Sequence, residues 1–197
     1  MITATIDTNC LILVIDRKSG YENIEKILNW HRIGKIIIYI SNRVFEPDII
    51  KMDFIQQEMI SKLLIDYRID VKGSICRHDI SKLDGGDLLD GGFTRRNNEE
   101  MKKFRSIVGN DPTLLQKRKI GGKLSNKIGD YDSLLDHFCR ENDVFITLDT
   151  KDIFHNDRRK KYEEELNLVI KSPEEFIFII EKNIYEDDGR DARPTNC

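Results

Sequence analysis

Short β-prone runs alternate along this chain with stretches of helical period. Ile2 to Ile6 is a β-prone segment that ends in Asp7-Thr8-Asn9, and an apolar run from Leu11 to Ile15 follows. Tyr21, Ile24, Ile27, Leu28 and His31 share one helical face with charges opposite, and Gly34 predicts the end of that helix. Lys35 leads into Ile36-Ile37-Ile38-Tyr39-Ile40, a continuous apolar run that reads as a strand buried on both faces. Ser41-Asn42 offers a helix cap before Val44, Phe45 and Glu46. Met52, Ile55, Met59 and Leu63 predict an amphipathic helix over 52–65, and Tyr67 to Val71 a short edge strand.

From Gly73 to Gly129 the pattern loosens. LDGGDLLDGG, residues 83–92, looks like a calcium loop at a glance, but its Asp spacing does not fit an EF-hand and a turn-rich loop is the better reading. Met101, Phe104, Ile107 and Val108 predict a short amphipathic helix with Lys102, Lys103 and Arg105 outside. The stretch from Asn126 to Phe154 is the most informative. Its helix should pack Leu134, Leu135, Phe138 and Cys139 inward; its central strand, Val144 to Leu148, runs into Asp149-Thr150-Lys151-Asp152. After the charged DRRKKYEEE comes a last strand, Leu166 to Ile170. Ser172-Pro173-Glu174-Glu175 then opens a final helix with a cap, a first-turn proline and a Glu three residues past the Ser.

Alternating strands and helices predict an α/β fold of three layers, α/β/α, around a central, mostly parallel sheet. One domain over 1–182 is expected, with an insertion at about 73–129 and a polar tail over 183–197. The 197 residues, 39% hydrophobic and 34% charged, describe a globular protein on the polar side. With a formal charge of −3, the distribution of charge says more than its sum. Lys117, Arg118, Lys119, Lys123 and Lys127 fall in one acid-free segment made pliable by Gly121-Gly122. That segment is either a solvated loop or a clamp for nucleic-acid phosphates. Cys10, Cys76, Cys139 and Cys197 are scattered, without a CxxC pair or a nearby His at ligand spacing. This fits a reducing cytoplasm, with Cys10 and Cys139 as small buried hydrophobes. No basic leader precedes the first apolar run, which Asp7 interrupts, and no run is long enough to span a membrane.

The candidate chemistry lies in the acids. Singly, Asp132 reads as an N-cap, Asp149 and Asp152 as turn residues, and Glu46 as a first-turn helix acid. Yet Asp7, Glu46 and Asp149 each follow a strand, and Asp132 opens the helix that feeds the last strand. Carboxyl ends of parallel strands are where open α/β sheets bind ligands. Side by side, the first and later strands would bring Asp7 and Asp149 together, and such carboxylates repel unless a cation stands between them. A carboxylate set without Cys or a fitting His suits Mg²⁺ or Mn²⁺ rather than zinc. Such an ion binds a phosphodiester oxygen and acidifies a water for in-line attack.

IDTNCLIL, an acid just past the second long strand, DSLLDHF, VFITLDTKDIF and SPEEFI, taken together and in this order, resemble a PIN domain over residues 1–55 and 126–181. The resemblance implies a Mg²⁺- or Mn²⁺-dependent endoribonuclease leaving a 5′-phosphate and a 3′-hydroxyl. Many small members are toxins of toxin–antitoxin pairs, so the expected partners are RNA and an antitoxin protein, with a second copy of the chain as a further candidate. Asp7, Glu46, Asp132 and Asp149 match the family's metal-binding acids, Asp152 an accessory acid, and Asn9 and Thr147 the polar residues that orient them. Two features depart from the family. Pro47 should push Glu46 away from helical geometry, leaving Asp48 as a substitute. The insertion is longer than compact members need, and Asp130 stands beside Asp132 as a further candidate. The main alternative is a noncatalytic RNA-binding or scaffold protein of the same fold. A haloacid-dehalogenase-like phosphatase would need an acid where Asn9 stands.

Overall fold

The computed structural model describes residues 1–72, 102–104, 106–107, 133–149 and 158–188, with backbone alone at residues 43, 44, 46, 47 and 183–188. Strands β1 (Ile2–Ile6), β2 (Ile36–Ser41), β3 (Asp70–Lys72), β4 (Val144–Ile146) and β5 (Ile170–Lys171) form one sheet in the order β3-β2-β1-β4-β5. Every pairing is parallel. The helices are α1 (Thr8–Ile15), α2 (Tyr21–Arg32), α3 (Asn42–Ile50), α4 (Phe54–Tyr67), α5 (133–140), α6 (Arg158–Leu166) and α7 (Pro173–Asp188). From β1 the chain steps outward through β2 to β3, then returns to the other side of β1 for β4 and β5. Strand order therefore reverses between β1 and β4, the position at which such sheets open a crevice at their carboxyl edge.

Register fixes what stands along that edge. Ile6 pairs with Ile146, and the Asp7 N–H donates to the Ile146 carbonyl at 2.9 Å, so Asp7 lies level with Thr147. The β1–β2 pairing of Thr5 with Tyr39 puts Ser41 level with Asp7 on the other side, and Ser41 pairs with Lys72. The Thr147 N–H donates to the Lys171 carbonyl at 3.1 Å, which carries the row to Ser172. Lys72, Ser41, Asp7, Thr147 and Ser172 thus cross the sheet as one polar row.

Below it, alternation sorts the strands into two cores. Ala4, Ile6, Ile38, Ile40, Val144 and Ile146 join Leu11, Ile24, Leu28, Ile60 and Phe176 on one face. Phe145 and Ile170 meet Phe104, Leu134, Phe138, Tyr162 and Leu166 on the other. There Phe104 stacks on Phe138 with ring centres 5.1 Å apart. Helices on both faces make the three-layer α/β/α architecture expected. Among the described residues no helix is long and apolar enough to cross a membrane.

Several local expectations shift. In β2, Ile37 and Tyr39 are only half-buried, because the second core is centred on β4 and β5, and Lys72 lies over the Tyr39 ring. Helix α4 starts at Phe54, capped by Asp53, whose carboxylate accepts the Gln56 N–H at 2.8 Å. It buries Ile60 and Leu63 and leaves Ile55 and Met59 in solvent, so of the expected stripe Leu63 faces inward, Met52 packs against the core before the helix, and Ile55 and Met59 do not turn in. The charged segment before β5 is helix α6, anchored by Tyr162 and Leu166 one turn apart and laced by Arg159–Glu163 and Lys160–Glu164 ion pairs. Of the strand expected over Leu166 to Ile170, only Ile170 lies in β5, which runs on to Lys171, while Leu166 ends α6; α7 runs past residue 182 to Asp188. Gly34, at φ +75°, ends α2 as expected, and the Lys35 N–H closes the turn on the Trp30 carbonyl at 2.9 Å. His31 clips the layers together. Its Nδ1 lies 3.2 Å from the Ile38 backbone nitrogen and 3.3 Å from the Ile36 carbonyl, and its Nε2 lies 3.1 Å from the Arg68 carbonyl.

Candidate functional site

Asp7 stands where β1 becomes α1, in the N-cap position, with extended backbone and no side-chain cap bond. Its Oδ2 instead accepts the Thr147 hydroxyl at 2.7 Å and the Asn9 amide at 2.8 Å. Each donor is itself fixed. A hydroxyl has one proton to give, so Thr147 Oγ1, having donated to Asp7, accepts the Asp149 N–H at 3.0 Å. Asn9 Oδ1 accepts the Leu148 N–H at 3.3 Å. The first turn of α1 and the end of β4 are therefore sewn together around one carboxylate oxygen, and Asp149 leaves the seam two residues past Thr147.

Asp7 is 3% exposed. Burial, above all, pushes its carboxyl up to about 6 from an ordinary 3.8; the Thr147 bond opposes this, while the negative charges of Asp48 and then Asp149 add to it. The carboxylates of three separate elements, at the ends of β1, α3 and β4, thus act on one another. Asp48 is half-buried and lies 3.4 Å from Lys51 Nζ, and Asp149 is half-buried on the loop after β4.

The backbone at Glu46 corrects an expectation. Helix α3 runs unbroken through Glu46 and Pro47, so the bias of a pre-proline residue against helix is overridden here. The cost is the hydrogen bond that Pro47, without an N–H, cannot give to the Arg43 carbonyl. The Glu46 side chain lies outside the description, as do Asp130, Asp132, Asp152 and the basic residues Lys117, Arg118, Lys119, Lys123 and Lys127. The described part of helix α5, 133–140, follows Asp132 in the sequence and leads through residues 141–143 into β4. Among the described residues no group of three or more His, Cys, Asp or Glu stands at metal-binding spacing; Asp7 is gathered with Asp48 and Asp149 more loosely than that.

Two further groups had no signal in the sequence. Thr8 Oγ1 and Ser41 Oγ are buried and have no hydrogen-bond partner among the described residues. Ser41 occupies the N-cap of α3 and yet makes no side-chain cap bond. Its place beside Asp7 follows from strand register, which a single sequence does not display. Cys10 and Cys139 are buried, as expected of small hydrophobes, and burial followed by the Asp7 charge keeps the Cys10 thiol protonated. His137, buried, is 3.0 Å from Thr5 Oγ1 and edge-on to Phe145, two residues short of Asp7 along β1.

The donor set at this edge, carboxylates and hydroxyls, fits a hard divalent cation. No protein-family model matches the chain, and no curated protein matches it in sequence.

Proposed function

We propose that this chain is a Mg²⁺- or Mn²⁺-dependent endoribonuclease of PIN-like architecture. One observation carries the reading: at the strand-order reversal, Asp7 is buried and held by Thr147 and Asn9, and burial first, with the charges of Asp48 and Asp149 adding to it, pushes its carboxyl up to about 6. An acid serving only as a cap would accept the backbone N–H groups of the helix's first turn and have its pKa lowered, whereas Asp7 makes no side-chain cap bond. Here the fold keeps negative groups close at an energetic cost, which a cation would reverse. The buried hydroxyls of Thr8 and Ser41 suit waters around such an ion.

Asp7 and Asp149 are the principal ligands, with Asp132, Glu46 and Asp152 completing the set and Asp48 the substitute for Glu46. A bound divalent cation supplies a Lewis acid for a phosphodiester oxygen and lowers the pKa of the attacking water. Thr147 and Asn9 preset the Asp7 carboxylate by occupying Oδ2, and the Thr147–Asp149 bond fixes the loop that presents the second acid. The segment carrying Lys117, Arg118, Lys119, Lys123 and Lys127 grips RNA phosphates. A cytoplasmic toxin with a cognate antitoxin is the setting this reading favours.

Cleavage of a labelled mixed-sequence RNA in Mn²⁺, Mg²⁺ and EDTA tests it, with Asp149→Asn alongside. Cutting that needs the metal and disappears in the variant, while RNA binding persists, is the expected result. Binding of RNA without cutting in any metal would favour the noncatalytic reading. Neither cutting nor calorimetric Mn²⁺ binding would return the acids to caps and turns.

A further inference from the structure

Helix α4 turns Ile60 and Leu63 into the core. Directly opposite, Ile55, Glu58, Lys62 and Ile65 form a line at spacings of three, four and three residues, the seam along which two helices pack. All four are exposed, Ile55 at 67% and Ile65 at 76%, with Phe54 at 73% beside them and Ile50 at 75% just before the helix. Single exposed apolar residues need no explanation, but several on one stripe do. Glu58 and Lys62 take part in no ion pair among the described residues, so the middle of the stripe is charged and unmatched.

The line is its own complement when reversed. Around a two-fold axis at Ile60, Ile55 of one copy meets Ile65 of the other and Glu58 meets Lys62, giving two apolar layers at the ends and two opposite-charge layers in the middle. A parallel arrangement sets Glu58 on Glu58 and Lys62 on Lys62. We propose that α4 is the interface of an isologous, antiparallel homodimer, with its register set by the Glu58–Lys62 layers. Phe54 and Met59 flank the seam and close its sides. This inference needs neither metal nor RNA, so it stands or falls apart from the nuclease reading.

A helix pair of this length lies at the small end of specific interfaces, below about 1,200 Å², so the dimer should dissociate in the micromolar range. The test is sedimentation equilibrium of the full chain across that range, with circular dichroism to confirm folding of each variant. Wild type should dimerise, and Ile65→Asp should be monomeric throughout. Glu58→Lys and Lys62→Glu should each weaken the dimer about tenfold or more, roughly 1.4 kcal/mol, because each creates two like-charge layers. An equimolar mixture of those two variants should pair as tightly as wild type, since every central layer then joins opposite charges; the double exchange in one chain should do the same. A wild type that stays monomeric, as it would if α4 seated a different protein, overturns the proposal. So does a dimer indifferent to these changes, or a mixture that fails to restore pairing.

Discussion

Two acids sit at the carboxyl edge of the same sheet and meet opposite fates. Glu175 follows β5 in the first turn of α7. Its Oε2 accepts the Ser172 N–H at 2.8 Å, Ser172 Oγ accepts the Glu175 N–H at 3.2 Å, and Arg159 reaches both carboxylate oxygens at 3.0 and 2.9 Å. Burial works against its charge, yet the Ser172 and Arg159 bonds prevail and hold it below its ordinary pKa. Asp7 follows β1 at the head of α1, meets no cation among the described residues, and is pushed up to about 6, above all by burial. The first arrangement is a completed capping box. The second sets a buried Asp7 against the charges of Asp48 and Asp149. An acid at a strand end is structural when its lone pairs are filled by amides and a guanidinium, and a candidate ligand when the fold gathers further acids around it instead.

The largest way to break that comparison is Asp7→Asn. A rise from 3.8 to about 6 in a buried group corresponds to about 3 kcal/mol of lost stability in the charged form, an order-of-magnitude figure. In metal-free buffer at pH 7 the variant should therefore unfold at higher denaturant than wild type, with unchanged slope. It should also lose metal-dependent cleavage. Chemical unfolding monitored by fluorescence checks the first and the RNA assay the second. A variant less stable than wild type would mean that Asp7 is structural, like Glu175.

Much of this contrast was legible in the sequence because it rests on local pattern. The β-prone run ending in Asp7, the run ending in Asp149, and the Ser-Pro-Glu-Glu start of α7 all announce themselves within a few residues, and parallel pairing of the first two strands with each other's neighbours follows from alternation. What was not legible is what depends on distant chain. The inward stripe of α4 was legible only in part: Leu63 turns in, but Ile55 and Met59 satisfy the same helical period, and only the other helices decide which residues are covered. Helix α6 hid behind its charges, with Tyr162 and Leu166 as its only inward anchors. Pro47 carried a local bias that the rest of the fold overrode. Ser41 gained its place beside Asp7 from register alone.

A smaller effect sharpens the comparison by titration. Because the Asp7 carboxyl is raised in the fold, protonation favours the native state, and the stability this provides is full below pH 3.8 and lost as pH rises through about 6. In metal-free buffer the gap between wild type and Asp7→Asn should accordingly be near zero in acid and open between those limits. Mn²⁺ should close or invert it at pH 7 by binding the charged form, and lose that power as pH falls through about 6. A gap that ignores both pH and Mn²⁺ would detach Asp7 from any cation.

Glu175→Gln should give the smallest effect and the opposite sign. Gln keeps an acceptor for the Ser172 N–H but gives up the charge that faces Arg159, and the partly exposed pair is worth less than about 1 kcal/mol. Since the Glu175 carboxyl is lowered in the fold, its contribution is present above the ordinary value of 4.5 and disappears as pH falls through the lower folded value. At neutral pH the variant should be slightly less stable than wild type, with RNA cleavage and Mn²⁺ binding unchanged. The two substitutions replace an acid by its amide at the same edge of the same sheet. If both destabilise, Asp7 is only another structural acid; if Asp7→Asn stabilises while Glu175→Gln destabilises, the fold is holding Asp7 charged against its own stability, as a ligand awaiting a cation must be held.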